Sequence, residues 1–453
     1  MSTATATNIT GVLVERLFGL YDYALGTYGT DGKFEPNLVV LYGDNGSGKT
    51  TLLRLIYHVL SKEQKRGHRT ALGAIPLRRF QVRLEDGTEV GMVRDQDPIK
   101  GTYRFFVARP GVAEQACVAI VAQDGTANPA ADPDSQERWA ATMDALGSLN
   151  VALYYLPDNR RPESDAPSDE TEIDVEQQYS VVLRTDAFGQ VISRRGIAPP
   201  KQGPLDAAIS DLQDLIRDDA LGAASIGEAN INSIYAEIAK RVLETKGEPL
   251  AASQAQGRDL PKALETLMEQ SRPFSRVGLL PQLDLRELVD HSTRAKATTR
   301  RILATVLQPY VESVSARLEA LGPIQRLLET FVGTLNSFYA QKRVTFDLRE
   351  GLRIIQPDGT RLSPRALSSG EQQLLLLFCN TVLARAQATI FIIDEPELSL
   401  NVKWQRRLID ALLQLVVGTP VQFMLATHSI ELLAKYKEGV VRLNPAPITE
   451  RPV

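Results

Sequence analysis

Almost purely apolar runs alternate with helical patterns near both ends of the chain. Residues 38–42, 389–393 and 421–426 are short and rich in β-branched and aliphatic side chains, which is typical of strands buried on both faces of a sheet. Residues 439–443 indicate a fourth strand of this kind. Because strands that alternate with helices form parallel sheets, the two ends together predict a parallel α/β core.

The region between the ends has a different pattern. Residues 80–94 alternate polar and apolar positions around Asp86-Gly87, a dipeptide typical of hairpin turns. Residues 103–123 continue the alternation. We therefore predict an antiparallel β lobe at about residues 74–125.

Two more segments are predicted to join the core. Residues 149–156 indicate another core strand. The polar, proline-rich segment at 157–172 is predicted to be a surface loop or partly disordered. Residues 344–355, with Asp358-Gly359 just after them, predict a second hairpin that leads back into the core.

Residues from about 205 to 340 are predicted to be mostly helical. One stretch has apolar side chains at three- and four-residue spacing, namely Leu303, Leu307, Tyr310, Val311, Val314, Leu318 and Leu321. An earlier stretch has the same spacing at Ile231, Ile234, Tyr235, Ile238 and Val242. Because Pro309, Gly322 and Pro323 interrupt the pattern, we expect short helices packed on one another rather than a coiled-coil arm.

Composition excludes several classes of protein. Of 453 residues, 43% are hydrophobic and 23% are charged, which are globular values. The net charge of −4 argues against coating nucleic acid by bulk charge but leaves room for a local basic patch. Two cysteines and four scattered histidines give no disulfide framework and no zinc-site spacing. No apolar run approaches the ~20 residues that span a membrane, and no signal peptide is evident, so we expect a cytoplasmic protein.

A phosphate-binding motif follows the first predicted core strand. The sequence GDNGSGKT at residues 43–50 fits the pattern G-x-x-x-x-G-K-[ST] and stands between a strand and a helix, as that motif requires. Glycines let backbone N–H groups turn toward phosphates, and the helix N-terminus adds partial positive charge. The predicted nucleotide-binding residues are Gly43, Asp44, Asn45, Gly46, Ser47, Gly48, Lys49, Thr50 and Thr51. Lys49 is expected to reach the β- and γ-phosphates, and the Thr50 hydroxyl to bind Mg²⁺.

Two carboxylates end the predicted strand at residues 389–393. Asp394 and Glu395 would lie at the carboxyl end of a parallel strand, where ligands bind in open α/β sheets. Asp394 is expected to hold Mg²⁺, and Glu395 to act as general base toward the attacking water. A helix-capping acidic pair is the alternative, since Pro396 suits the first turn of a helix.

Three further segments carry a resemblance to a known family. Residues 367–373 (LSSGEQQ) resemble the signature motif of the ABC ATPase superfamily, although Ser369 replaces the family's glycine. Residues 396–401 resemble its D-loop, and His428, after a predicted strand, resembles its switch histidine. The resemblance covers about residues 8–60 and 340–445.

The resemblance implies a fold and an assembly. The fold is an ABC-ATPase head with a mixed sheet, an antiparallel β lobe, a parallel P-loop core and a large helical insertion. The implied domains are 1–157 and 341–453 for the two halves of the head, and 158–340 for the insertion. In this family two heads meet head to tail, so Ser368, Ser369 and Gly370 would touch the γ-phosphate of a partner's ATP. Glu395 and His428 would be catalytic in their own chain, with ATP and Mg²⁺ bound there.

Two roles within the site stay open. The family's Q-loop glutamine corresponds either to Gln81 or, preferably, to the turn at residues 157–160. The aromatic side chain that stacks on adenine is Phe18, Tyr21 or Tyr23.

Motif spacing narrows the branch of the family. About 325 residues separate Gly43 from Ser368, a distance that argues against a transporter subunit. The chain resembles the RecF, SMC and OLD-like branch, and within it the stand-alone ATPases of phage-defence systems such as Septu and PARIS. The 25 residues after His428 are too few for a fused nuclease, so a Toprim or HNH nuclease is expected to be a separate effector.

Two functions follow from this resemblance. The first is the sensor or scaffold ATPase of an antiviral defence system, a homo-oligomer that controls its effector. The alternative is a RecF-like DNA repair ATPase, for which DNA is a partner. The near-neutral net charge favours the scaffold.

Overall fold

The structure is a computed structural model, and it separates into two compact units. One unit comprises residues 1–207 and 369–453, and the other comprises residues 208–368. The residues it describes are 8–29, 32–64, 66–95, 99–164, 170–175, 179–185, 191–194, 203–228, 240, 260–433, 435–436 and 438–443.

In the described part of the chain, the strands form two larger sheets and two small ones. The first eight strands are β1 Ile9–Leu17, β2 Tyr21–Gly26, β3 Leu38–Tyr42, β4 Arg79–Leu84, β5 Glu89–Val93, β6 Tyr103–Ala108, β7 Gln115–Val121 and β8 Ala127–Asn128. The next five are β9 Leu153–Leu156, β10 Glu163–Ser164, β11 Glu170–Val175, β12 Tyr179–Thr185 and β13 Val191–Arg194. The remaining strands are β14 Arg343–Asp347, β15 Gly351–Ile355, β16 Arg361–Leu362, β17 Ile390–Asp394, β18 Gln422–Thr427 and β19 Val440–Arg442.

Helices flank these strands and dominate the second unit. Their bounds are α1 Lys49–Leu60, α2 His68–Ala74, α3 Pro133–Gly147, α4 Pro204–Glu228, α5 Leu260–Arg276, α6 Arg286–Arg294, α7 Ala297–Phe338, α8 Ser369–Gln387, α9 Val402–Leu415 and α10 Ile430–Leu433.

The predicted parallel core is confirmed. Its sheet has the order β10-β9-β17-β18-β3-β19, and every neighbouring pair is parallel except β10 with β9. All five residues of β17 are buried, as are the first four of β3. Strands covered on both faces need apolar side chains at every position, which explains the continuous runs.

The predicted antiparallel lobe is also confirmed, and it is larger than expected. Its sheet has the order β2-β1-β4-β5-β6-β7-β8, so two strands at the start of the chain join it. Helix α1 packs between this sheet and the parallel sheet. Its Leu52 and Ile56 belong to one buried cluster with Val82 of the lobe and Ile392 of the parallel sheet.

The second unit combines helices with a small sheet. The predicted hairpin is present as β14 and β15, and β16 pairs with β15. The prediction of short, interrupted helices was wrong, because α7 is one helix of 42 residues with Pro309 and Pro323 inside it. Each proline removes a backbone donor, but Leu303, Leu307 and Val311 pack on α5 and α6 and hold the helix together. The stretch from Ile231 to Val242 lies outside the described residues.

The predicted loop at 157–172 is only partly correct. Residues 163–164 pair with β9, and β11 begins at Glu170 and forms a three-stranded sheet with β12 and β13. The domain boundaries stay a prediction. Among the described helices, none combines the length and the apolar composition needed to cross a membrane.

Candidate functional site

The predicted phosphate-binding motif at residues 43–50, called the phosphate loop below, connects β3 to α1. The predicted arrangement of strand, loop and helix is therefore confirmed. Gly46 and Gly48 both have φ near 84°, a backbone conformation that L side chains rarely adopt. Gly48 is also the residue that precedes helix α1. Gly46 and Gly48 are therefore required by the path of the loop itself.

Lys49 is held over the loop that precedes it. Its ammonium donates to the carbonyl oxygens of Gly43 at 2.7 Å and Asp44 at 2.9 Å, and the residue is 6% exposed. Tyr23 supports the loop from the antiparallel sheet, since its hydroxyl donates to the Ser47 carbonyl at 2.8 Å. Within the described part of the chain, the buried Ser47 hydroxyl has no hydrogen-bond partner. Lys49 and Tyr23 thus hold the loop backbone, while the Ser47 hydroxyl is left for another partner.

A cavity of about 250 Å³ opens beside the loop. It is lined by Tyr21, Tyr42, Leu443, Arg442 and the loop residues 43–47. Among the three aromatic candidates, Tyr21 faces this cavity, Tyr23 is buried, and Phe18 is exposed at 42%. The rings of Tyr21 and Tyr23 stack at 5.9 Å. Sequence reasoning missed Arg442, which β19 brings to the cavity from the far end of the chain.

Asp394 ends β17 at the same edge of the sheet as the phosphate loop. It pairs with Ala426 in β18, and Ala426 pairs with Leu41 in β3. Asp394 is 1% exposed, and both of its carboxylate oxygens are buried with no hydrogen-bond partner among the residues that the structure describes. Burial raises the pKa of this carboxyl, while the Thr50 hydroxyl lies near enough to oppose the shift without making a well-formed hydrogen bond.

The groups around Asp394 fit Mg²⁺. Two unpartnered, buried carboxylate oxygens need a positive partner, because an isolated buried charge is unfavourable. Carboxylate and hydroxyl oxygens are the hard ligands that Mg²⁺ prefers, usually with one or two carboxylates and substrate phosphates. Asp394 and Thr50 are the residues that would hold the ion.

Glu395 has a strained backbone and a histidine neighbour. Its φ of 46° is rare for a residue with a side chain, and its N–H donates to the Ala426 carbonyl at 2.9 Å. The Nδ1 of His428 lies 3.3 Å from Oε1 of Glu395. The Glu395 side chain is 30% exposed, so it remains open to water.

Sequence analysis placed Glu397 only within the D-loop segment at 396–401. In the structure, this residue holds the backbone at His428. It is 4% exposed, and its Oε1 accepts hydrogen bonds from the Thr427 hydroxyl and from the His428 N–H, the latter at 3.2 Å. The same oxygen lies 3.6 Å from Nδ1 of His428. A buried carboxylate thus fixes the backbone that carries His428.

The signature residues begin helix α8. Ser368 and Ser369 are exposed, Gly370 is buried, and none of the three lines the cavity at the phosphate loop. A Cβ on Gly370 would lie 2.9 Å from the Ser399 carbonyl and 3.3 Å from the Trp404 ring. Gly370 is therefore needed for contact with the turn that follows Glu395.

The two candidates for the Q-loop occupy different places. Gln81 lies in β4, where its side chain donates to the Tyr28 hydroxyl and accepts from Arg79, each at 2.8 Å. The turn at 157–160 follows β9 and brings Arg160 to the end of β17. The Arg160 guanidinium donates to the Asp394 carbonyl at 2.9 Å and the Glu395 carbonyl at 2.6 Å. The turn at residues 157–160 thus contacts the end of β17, whereas the Gln81 side chain bonds to Tyr28 and Arg79.

Comparisons with known proteins give partial matches to an AAA domain and to ATP-binding proteins. A family profile described as "AAA domain, putative AbiEii toxin, Type IV TA system" matches residues 281–434. The chain is similar to the lipoprotein-releasing system ATP-binding protein LolD of Ruegeria pomeroyi, with 42% identity over 81 residues, 18% of this chain and 34% of that one. It is 34% identical over 88 residues to LolD of Ruegeria sp. TM1040, covering 19% and 37% of the two chains. These findings support an ABC-like P-loop ATPase.

The curated relatives are matched over only part of their length. The chain spans about a third of the length of the curated relatives it matches. Two solved structures align over 94% of this chain and 91% of theirs. One is the Smc head domain with an extended coiled coil bound to the C-terminal domain of ScpA from Pyrococcus furiosus, with 14% identity and a TM-score of 0.38. The other is the Smc head bound to the C-terminal winged-helix domain of ScpA, with 12% identity and a TM-score of 0.35.

Proposed function

We propose that this chain binds ATP with Mg²⁺ and hydrolyses it to ADP and phosphate. The observation that carries the proposal is the 3.3 Å contact between His428 and Glu395, next to the unpartnered carboxylate of Asp394. These groups lie at the sheet edge that also holds the phosphate loop. Such a grouping is what phosphoryl transfer to water requires.

Each residue has a chemical task in this proposal. Loop N–H groups and the Lys49 ammonium bind the phosphates of ATP, and Asp394 and Thr50 hold Mg²⁺, which supplies charge neutralisation when bound. Glu395 accepts a proton from a water molecule while the water oxygen bonds to the γ-phosphorus. The bond from that phosphorus to the β–γ bridging oxygen breaks, and the electron pair leaves on ADP. His428 orients the Glu395 carboxylate toward the water.

The proposed working unit is a head-to-tail dimer or a larger homo-oligomer. Ser368 and Ser369 are exposed and do not line the cavity of their own chain, which supports a role at another chain's ATP. The partner's γ-phosphate would then accept hydrogen bonds from the hydroxyls and N–H groups at the start of α8. Hydrolysis would depend on assembly.

We further propose that the ATPase serves a bacterial antiviral defence system and controls a separate effector, such as a Toprim or HNH nuclease. The description of the matching family profile names a toxin and a toxin–antitoxin system, which favours this role over RecF-like DNA repair. Slow hydrolysis would act as a timer on the assembled state.

One experiment tests the proposal as a whole. The purified chain is given ATP with and without Mg²⁺, and binding, phosphate release and particle mass are measured. The proposal expects Mg²⁺-dependent hydrolysis and a larger particle with ATP. Absence of ATP binding would refute it. Strong stimulation by DNA that declines steeply with salt would instead favour the repair role.

A further inference from the structure

Arg160 is buried at the point where three elements meet. It follows β9, it is 7% exposed, and its own φ is 61°. Its guanidinium donates one hydrogen bond to the Asp394 carbonyl and one to the Glu395 carbonyl. With the Gln373 amide oriented by its neighbours, the amide oxygen accepts from Nε of Arg160 at 2.7 Å and from the Nη2 group at 2.9 Å. The Arg160 side chain thus donates four hydrogen bonds.

The two carbonyl groups stand on either side of the Glu395 α-carbon. The Asp394 carbonyl belongs to the peptide before Glu395, and the Glu395 carbonyl belongs to the peptide after it. Arg160 therefore fixes both peptides that determine where the Glu395 side chain points. This matters because Glu395 has a φ of 46°, which a residue with a side chain does not adopt without support.

The chemistry of the contact requires an arginine. A guanidinium is planar and presents five N–H donors in a fixed fork, whereas a lysine ammonium is a single point of charge. Each direct acceptor around Arg160 is a carbonyl or amide oxygen. A lysine could keep the charge at this position but could not reach the Asp394, Glu395 and Gln373 oxygens together.

The third acceptor connects this contact to the signature. Gln373 lies in α8, four residues after Ser369, so it is one helical turn from the start of that helix. A shift of α8 would move the Gln373 amide and, through Arg160, the peptides around Glu395. Gly370, in the same turn, lies so close to Ser399, shortly after Glu395, that an added Cβ would be 2.9 Å from the Ser399 carbonyl oxygen, so these segments also pack closely there.

We propose that Arg160 is a positioning residue that holds the peptides around Glu395 and links their placement to the first turn of helix α8. The proposal rests on the proposed hydrolytic role of Glu395. Among the described residues, Arg160 donates hydrogen bonds to the carbonyls of Asp394 and Glu395 and to the Gln373 amide, rather than to the phosphate loop or the Glu395 carboxylate. When a second chain binds at the signature, α8 and Arg160 would position Glu395 of the chain that carries that signature.

The test is Arg160→Lys, which keeps the positive charge but loses the fork. We expect the single-turnover rate of ATP hydrolysis to fall about 10- to 100-fold, the cost of a catalytic group displaced by roughly 1 Å. ATP affinity is expected to change by less than about 3-fold, because the phosphate contacts come from the loop and Lys49. Arg161→Lys is the matched control, since Arg161 is the exposed neighbour, and it is expected to retain the wild-type rate.

A second arm separates positioning from general damage. In the Glu395→Gln background, Arg160→Lys is expected to change the residual rate by less than about 3-fold, because the group that it positions is already disabled. A further large loss in that background would overturn the proposal. Gln373→Leu removes one acceptor and is expected to lower the rate several-fold with ATP affinity unchanged; if Arg160→Lys does not fold, this variant decides.

The outcomes distinguish this inference from the proposed function. If the wild-type chain hydrolyses ATP and Glu395→Gln does not, while Arg160→Lys and Gln373→Leu both keep the wild-type rate, only the role of Arg160 is wrong. If the wild-type chain neither binds nor hydrolyses ATP, the proposed function fails first.

Discussion

The Nδ1 of His428 lies 3.3 Å from Oε1 of Glu395, although the two residues come from different strand ends. Glu395 follows β17 and His428 follows β18, and the parallel pairing of these strands brings their carboxyl ends together. The Glu397 carboxylate accepts a hydrogen bond from the His428 N–H and so fixes the His428 backbone. A histidine and a partly exposed glutamate are thus adjacent beside the buried Asp394, which is the arrangement that the proposed hydrolysis needs.

Lys49 is predicted to be essential for nucleotide binding. In Lys49→Ala the phosphates lose a charged hydrogen-bond donor, so ATP affinity or turnover is expected to fall at least about 10- to 100-fold. Equilibrium binding of a fluorescent ATP analogue measures the loss. Lys33→Ala is the control, because Lys33 is a solvent-exposed lysine that pairs with Glu35. If Lys49→Ala both binds and hydrolyses ATP like the wild type, the proposed role of the phosphate loop is wrong.

If the signature of one chain completes the ATP site of its partner, two variants that are inactive alone are predicted to complement each other when mixed. Gly370→Glu is unsuitable for this test, because a Cβ there would already press on the Ser399 carbonyl of its own chain. Ser369→Arg changes an exposed position instead. Ser369→Arg and Lys49→Ala chains are each expected to be inactive, and their mixture to regain partial hydrolysis, because one composite site per dimer stays intact. Mixed particles with no recovered activity would argue against trans sharing.

Tyr21 and Arg442 are predicted to bind the base of the nucleotide. Both line the cavity beside the phosphate loop, and both carry flat groups that can stack on a purine. Tyr21→Ala is expected to weaken ATP binding about 5- to 100-fold, since base–aromatic stacking contributes ~1–3 kcal/mol. Arg442→Ala is expected to have a smaller effect in the same direction. Phe18→Ala, which alters an exposed ring outside the cavity lining, is the control and should bind like wild type.

His58 is predicted to make the fold sensitive to acid. Burial, followed by the positive fields of His68, Arg69 and Arg54, lowers the pKa of His58 from 6.5 to about 3. Because the unfolded chain binds this proton first, the stabilisation is complete above about pH 6.5 and is lost progressively as pH falls toward about 3. From pH 7.5 to 5.5 the free energy of unfolding is expected to fall by about 1.4 kcal/mol on this account alone.

Urea unfolding at the two pH values measures this loss. His58→Gln keeps a polar side chain that can bond to His68, which lies 3.0 Å away through Nδ1, but it cannot titrate. The variant is expected to show a correspondingly flatter pH dependence. His291→Gln is the control, because His291 is an exposed histidine on α6. An unchanged pH dependence in His58→Gln would place the acid sensitivity elsewhere.

Local patterns predicted much of the core and the candidate site because these depend on short segments. The continuous apolar strands, the glycines before Lys49 and the two carboxylates at the end of β17 are each visible within ten residues of the sequence. The contacts of Arg160 are different, since it bonds to a carbonyl 234 residues away. Two other features also depend on which strands become neighbours. They are the hydrogen bond between Glu397 and the His428 N–H, and the position of Arg442 beside the phosphate loop.

Tertiary packing also overrode local preference in the second unit. Pro309 and Pro323 predicted breaks, but each leaves most backbone hydrogen bonds of the helix intact. The apolar stripe of α7 contacts α5 and α6. Burial of that stripe stabilises one continuous helix.

The central claim is that Glu395 is the general base for ATP hydrolysis, and Glu395→Gln tests it most directly. The glutamine keeps the size and a hydrogen-bonding oxygen but cannot take a proton from water. Single-turnover hydrolysis and particle mass are measured with and without ATP, on the wild-type and variant chains. The account predicts that hydrolysis falls about 10²- to 10⁴-fold while ATP binding persists and the ATP-bound assembly accumulates. A variant that hydrolyses ATP within a few-fold of the wild-type rate would contradict it.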